Sequence, residues 1–155
     1  MSTPDLQLGR PRVASDRGFT LVELVTVMAI VAILTAIALP QYRQFIARGH
    51  RSEARSTLTH AAQWMERWRT EQGVYQTSPQ NAAPPVLPPL LQQSPPPPSA
   101  ASYNITVATP TPATYTLTAT PVGPMAADAC GNLTLDSTGL RGNSGVLDIN
   151  TCWGR

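Results

Sequence analysis

The strongest constraint on this chain is an apolar run from Phe19 to Leu39, entered through Arg17-Gly18 and carrying one carboxylate, Glu23, four residues after Phe19. The run spans 21 residues, about what a helix rising ~1.5 Å per residue needs to cross a hydrocarbon core. An acidic side chain inside such a span is costly unless something compensates it. The first expectation is therefore a membrane-crossing helix over 19–40 that meets a partner at Glu23. Ahead of the run, Arg10, Arg12 and Arg17 outnumber Asp5 and Asp16, a bias that holds the amino end in the cytoplasm and sends the remainder across.

Two plainer readings of the run are available. Ala36-Ile37-Ala38 has the small-x-small form of a secretory cleavage site, and cleavage there would free a soluble protein. Against it, the run is long for a signal core, Glu23 sits near its start, and the chain continues through Pro40 into another helical pattern. A simple single-pass anchor is the other option, and it gives no reason for the carboxylate. Of the 155 residues, those left over support only a small globular core. The 11 basic residues, all Arg, against 9 acidic ones leave a formal charge of +2, too weak on its own to mark nucleic acid as the main partner. Cys130 and Cys152 both lie in the last quarter, and an even count behind an export-like segment reads as a disulfide formed outside the cytoplasm.

Beyond the run, Pro40 removes a helical hydrogen bond and predicts a kink without a stop. Ala54, Leu58, Ala61, Met65 and Trp68 then recur at steps of four and three, one face of an amphipathic helix that should pack on a sheet. Arg43, Arg48, Arg51, Arg55, Arg67 and Arg69, interleaved with Glu53, Glu66 and Glu71, populate the other faces, most of them as a solvated or subunit-facing surface. Gln72-Gly73 ends the helix, glycine supplying a left-handed cap. Of the 16 prolines, nine fall between Pro79 and Pro98, which excludes helix and central strand there. The four-proline run Pro95 to Pro98 is expected as polyproline II, either a stiff surface loop or a ligand for an aromatic groove. Period-two alternation follows at Tyr103, Ile105 and Val107, at Tyr115, Leu117 and Ala119, and at Leu133 and Leu135, with threonine between. This predicts half-buried antiparallel strands, the first two joined in a hairpin at Pro110 and Pro112. A sheet of three or four strands laid on the helix stripe makes a two-layer α+β domain.

The string Arg17-Gly18-Phe19-Thr20-Leu21-Val22-Glu23-Leu24 resembles the type III signal of type IV pilins and pseudopilins: a charged leader ending in Gly, an aromatic residue, and Glu four positions on. The resemblance implies that a prepilin peptidase cuts after Gly18 and methylates the new amino terminus at Phe19, leaving the helix on the mature protein. It divides the chain into a leader at 1–18, an assembly helix at 19–40, an amphipathic half at 41–72, a proline-rich loop at 73–101, and a sheet with a disulfide-bounded loop at 102–155. In a pilin fold of this kind, Phe19, Glu23 and Pro40 serve assembly. The cationic amine left on Phe19 of one subunit could pair with Glu23 of a neighbour, and in a low dielectric the loss of either partner would cost more than the pair contributes. The stretch from Cys130 to Asp136, with a Gly-rich turn and a closing Cys152-Trp153, is similar to minor pilins of the PilE type, which narrows the resemblance to that subgroup. Across the proline-rich loop the resemblance is weak.

The resemblance implies a minor pilin, a structural subunit that primes or joins type IV pilus assembly in support of twitching motility and adhesion. It would wait in the inner membrane and then join the surface fibre. The partners implied are membrane lipid, other pilins and minor pilins, the prepilin peptidase, the inner-membrane assembly platform and a pilus-tip adhesin. Rival readings are a pseudopilin of a type II secretion system and a pilus-associated DNA receptor using the Arg-rich surface. His50 and His60 lack further ligands at metal spacing, and Asp128, Asp136 and Asp148 miss calcium-loop spacing and read as turn formers. No nucleophile elbow or phosphate loop is present, so no catalytic residue, cofactor or metal is expected.

Overall fold

The computed structural model describes residues 18–77 and 82–154; the leader up to Arg17, its charges and Pro79 lie outside them. The chain falls into two compact units, Met1–Pro40 and Gln41–Arg155, although one helix runs through the boundary. That helix, α1, spans Leu21–Gln72, and Pro40 lies inside it without ending it. Thr20 opens α1 by accepting the Glu23 amide on its hydroxyl (3.2 Å), a cap that satisfies one orphan donor of the first turn. At the other end Gly73, at φ +78°, donates its amide to the Arg69 carbonyl (2.8 Å), the expected left-handed cap.

In the second unit the helical stripe packs as its spacing predicts: Ala54, Leu58, Ala61 and Met65 are fully buried. Trp68 departs from the stripe. It remains half-buried, tilts against Trp64 at 5.4 Å and donates its indole N–H to the Gln76 carbonyl (3.2 Å). Facing the stripe is a five-stranded antiparallel sheet in sequential order: β1 (Gln93–Ser94), β2 (Tyr103–Thr111), β3 (Thr114–Pro121), β4 (Leu133–Asp136) and β5 (Arg141–Asn143). β2 and β3 close through Pro112-Ala113, with Ile105 opposite Ala119 and Val107 opposite Leu117. Tyr103, Ile105, Tyr115, Leu117, Ala119, Leu133 and Leu135 point into the core and their neighbours out, the alternation of a sheet wetted on one face.

Three expectations are corrected. The sheet has five strands, because the proline-rich segment contributes the two-residue edge strand β1 and a turn of 3₁₀ helix at Pro89–Leu91, and because the turn after Asp136 returns the chain as β5. An edge is where a strand adjoining prolines can exist, since only one side must donate to the ladder. The four-proline run is not polyproline II. The Ser102 amide donates to the Ser94 carbonyl (2.8 Å), and the Gln93 side-chain amide donates to the carbonyls of Pro95 (3.0 Å) and Ser99 (2.9 Å), so Pro95–Pro98 lies in a closed turn. The peptide bonds Ser94–Pro95 and Pro97–Pro98 are cis. Finally, Arg51 is not a surface residue; it is buried beneath the sheet's far end.

Candidate functional site

In the first unit, the helix from Leu21 onward leaves every large apolar side chain exposed, and its most apolar 18-residue window has mean hydropathy 2.5 with none of it buried within the chain. The hydroxyls of Thr26 and Thr35 donate back to the carbonyls of Val22 (2.8 Å) and Val31 (2.7 Å), so these two side chains are satisfied within the helix. Such a surface is stable only against lipid or other apolar helices. Phe19 is 78% exposed ahead of it, and the Glu23 side chain is exposed and bonds no described residue. Gly18 likewise has open space around it, with no atom near enough to meet an added Cβ. In the second unit, Tyr42 and Phe45 are exposed as well.

The opposite end of the chain is closed by two ties. Cys130 and Cys152 form a disulfide with Cα atoms 5.7 Å apart. Beside it, Arg51 of α1 meets Asp128 through a fork: Nε donates to Oδ1 (3.1 Å) and Oδ2 (3.0 Å), and Nη2 to Oδ1. The Tyr103 hydroxyl of β2 donates to Asp128 Oδ2 (2.6 Å). One carboxylate thus joins helix, sheet and disulfide loop, with its side chain 1% exposed. Burial pushes the Asp128 carboxyl up, but the bonds from Arg51 and Tyr103 outweigh it and hold the pKa below the usual value. Burial, followed by the bond to Asp128, pushes the Tyr103 phenol far up. A second polar knot lies near the other end of the sheet, where Glu66 accepts from the hydroxyls of Tyr75 (2.9 Å) and Tyr115 (3.2 Å).

Cys152 sits in a one-turn helix, α2 (Ile149–Trp153), which begins at Asp148, whose carboxylate accepts the Asn150 amide (2.8 Å), and ends at left-handed Gly154. Trp153 donates its indole N–H to the Gly142 carbonyl (3.0 Å), and the Arg141 guanidinium lies 5.2 Å over its ring. Between this ridge and the helix face carrying Ser52, Ser56 and Thr59 is an open hollow of about 310 Å³ that also receives Arg55. Asp136 caps its own turn, accepting the amides of Thr138 (2.8 Å) and Leu140 (2.9 Å), as its turn-forming role predicts. His50 contacts the Ser102 hydroxyl through Nδ1 (3.2 Å), and among the described residues no group of three metal-ligating side chains converges.

The architecture of a long helix on an antiparallel sheet has known counterparts. A sequence model described as "Prokaryotic N-terminal methylation motif" matches residues 14–39, and one described as "Type IV minor pilin ComP, DNA uptake sequence receptor" matches residues 40–134, more than half of the chain. The chain belongs to the type IV pilin family. The solved non-core minor pilin PilV of Neisseria meningitidis superposes with a TM-score of 0.51 at 27% identity, over 68% of this pilin and 93% of that chain. The major pilin PilA of Myxococcus xanthus is 54% identical over 43 residues, 28% of this chain and 20% of its own. A fimbrial protein of Moraxella nonliquefaciens is 58% identical over 40 residues, 26% of each. The match thus spans only a fifth to a quarter of these curated relatives. Pilins are structural proteins that contact other pilins and the pilus machinery, and the motif and exposed helix place this one in the inner membrane before assembly and in the pilus afterwards.

Of the residues singled out in the sequence, Cys130 and Cys152 are brought together, while Gly18, Phe19 and Glu23 stand exposed on the apolar unit. The sequence reading missed the Arg51–Asp128–Tyr103 tie, the Glu66 knot and the hollow at Arg55. A signal for the first was present in Asp128 two residues before Cys130, a carboxylate held beside a loop that has to be closed.

Proposed function

We propose that this pilin is a minor subunit of a type IV pilus. The prepilin peptidase cuts between Gly18 and Phe19 and methylates Phe19, and the helix from Phe19 to Pro40 then enters the fibre from the inner-membrane assembly platform. The observation that carries the reading is the apolar surface of α1 as far as Pro40: it is unpartnered within the chain, and Glu23, at the fourth position past Phe19, is its one charged residue. In the fibre that surface is covered by the helices of other pilins, and the Phe19 amine of one subunit neutralises Glu23 of another. The role is assembly and display, with no catalytic step. Glu23→Ala should leave membrane insertion intact and reduce recovery in sheared fibres by tenfold or more, consistent with an uncompensated buried amine. Recovery equal to the unaltered chain would rule out the pairing.

A second reading concerns what the displayed domain does. The family model spanning residues 40–134 is described as a DNA uptake sequence receptor, which favours DNA as the ligand of the exposed unit. The modest net charge of +2 does not oppose this, because a local pair such as Arg55 and Arg141 at one hollow can bind phosphates whatever the total. Fluorescence anisotropy of a labelled duplex with the full chain in detergent, at low and at high salt, tests it. Tight binding that falls steeply with salt supports the reading, and no binding at low salt refutes it.

A further inference from the structure

The hollow at the disulfide end combines features that point to an anion. Two arginines from distant parts of the sequence reach it: Arg55 from α1 and Arg141 from the start of β5. No carboxylate lines it among the described residues. Asp128, which engages the neighbouring Arg51, is itself held by Arg51 and Tyr103. Burial first, then the charges of Arg141 and Arg51, push the Arg55 guanidinium below its ordinary pKa.

Both cations are also held in place. A Cβ on Gly154 would run into the Arg55 guanidinium, so the left-handed glycine that caps α2 at φ +68° gives Arg55 room to lie against the backbone. Arg141 rests on the Trp153 ring, and Trp153 is fixed by its bond to Gly142 and by the neighbouring disulfide. Fixing two like charges beside each other is unfavourable unless a ligand of opposite charge repays it, and a guanidinium offers a planar fork matched to phosphate oxygens. Ser52 and Ser56, spaced i and i+4 on the facing helix and both exposed, add hydroxyls at the rim.

We propose that this hollow is a seat for a phosphate group, with Arg55 and Arg141 as its two positioned ligands and a phosphodiester of DNA as the occupant. The class of ligand follows from the paired arginines and the rim of hydroxyls. The source, DNA instead of free phosphate, rests on the DNA-binding reading above. Because Trp153 and Gly154 are the walls that hold the arginines, the seat depends on the disulfide that anchors α2.

The test uses the full chain in detergent, a fluorescein-labelled duplex read by anisotropy across a salt series, and inorganic phosphate read by ³¹P line broadening. Arg55→Gln and Arg141→Gln should each weaken duplex binding about tenfold and reduce the slope of log K against log salt by about one. Ser52→Glu keeps both arginines, places a carboxylate three residues ahead of Arg55, and should weaken binding as much while leaving the fold at least as stable. Far-UV circular dichroism and intact disulfide mass confirm that each variant is folded. If the unaltered chain binds duplex and the three folded variants bind equally well, the seat is refuted while the DNA reading stands. If the unaltered chain binds no duplex, the DNA reading falls and phosphate decides the seat: broadening that disappears in Arg55→Gln retains it for free phosphate, and no broadening overturns it.

Discussion

Replacing Asp128 with alanine tests how the exposed unit is held together. The carboxylate is 1% exposed and receives the Arg51 fork and the Tyr103 hydroxyl at 2.6 Å, so its removal strands a guanidinium that is itself only 11% exposed and a buried phenol. Removing one member of a buried pair costs about 3–5 kcal/mol, because the remaining charge keeps its desolvation penalty and loses its partner. The remaining exposure of Arg51 favours the lower end, about 3 kcal/mol, or on the order of 10 °C in Tm for a domain of this size. The double exchange Arg51→Met with Asp128→Leu removes both charges and leaves only the Tyr103 hydroxyl without its acceptor, so it should cost about 1–2 kcal/mol, less than the single exchange. The assay is thermal unfolding of the segment from Gln41, which contains the whole described core, followed by circular dichroism. The sign with pH is fixed by the lowered carboxyl pKa: stability from this tie is fully present above the unfolded carboxylate value of about 4 and is lost as pH falls through the lower native value. A loss under about 1 kcal/mol for Asp128→Ala, or a double exchange as damaging as the single one, would refute a buried, coupled pair.

Two further outcomes follow from the same unit. Cys130→Ala with Cys152→Ala opens a loop with a sequence separation of 22 and should lower stability by roughly 3 kcal/mol in urea unfolding; an unchanged midpoint would deny the disulfide its structural role. At alkaline pH the phenols of Tyr103 and Tyr115, held protonated first by burial, should not ionise near the ordinary value of about 10. Their stabilising share is present below that pH and is lost as pH rises toward the native values, so absorbance at the phenolate band should rise in step with unfolding. A smooth early titration of all the tyrosines would contradict their burial.

Much of this architecture is legible in the residues because it rests on local periodicity. The stripe from Ala54 to Met65, the alternations at Tyr103 and Tyr115, and the glycine at position 73 each report on neighbours within a few positions. What was not legible depends on long-range partners. Arg51 looks like its neighbours Arg48 and Arg55 along the helix, and only its meeting with Asp128, 77 residues away, buries it. β1 escaped because prolines flank it, and a strand of two residues has no period to read. The expectation of polyproline II at Pro95–Pro98 failed for the same reason: side-chain and backbone bonds from Gln93 and Ser102 fold the run back, and composition carries no trace of them. The hollow at Arg55 and Arg141 needs α1, β5 and α2 assembled before its two arginines share a space. The four-residue spacing from Phe19 to Glu23 is plain in the sequence, and the pairing read from it is the proposal that the fibre experiments test.

The central claim is that this chain is processed as a pilin and built into a fibre through that spacing. Mass spectrometry of the protein recovered from sheared surface fibres tests it most directly. The account predicts a mature chain that begins at N-methylated Phe19 and retains the whole apolar helix. A mature start at Leu39, or absence from fibres while the protein accumulates elsewhere, would contradict it.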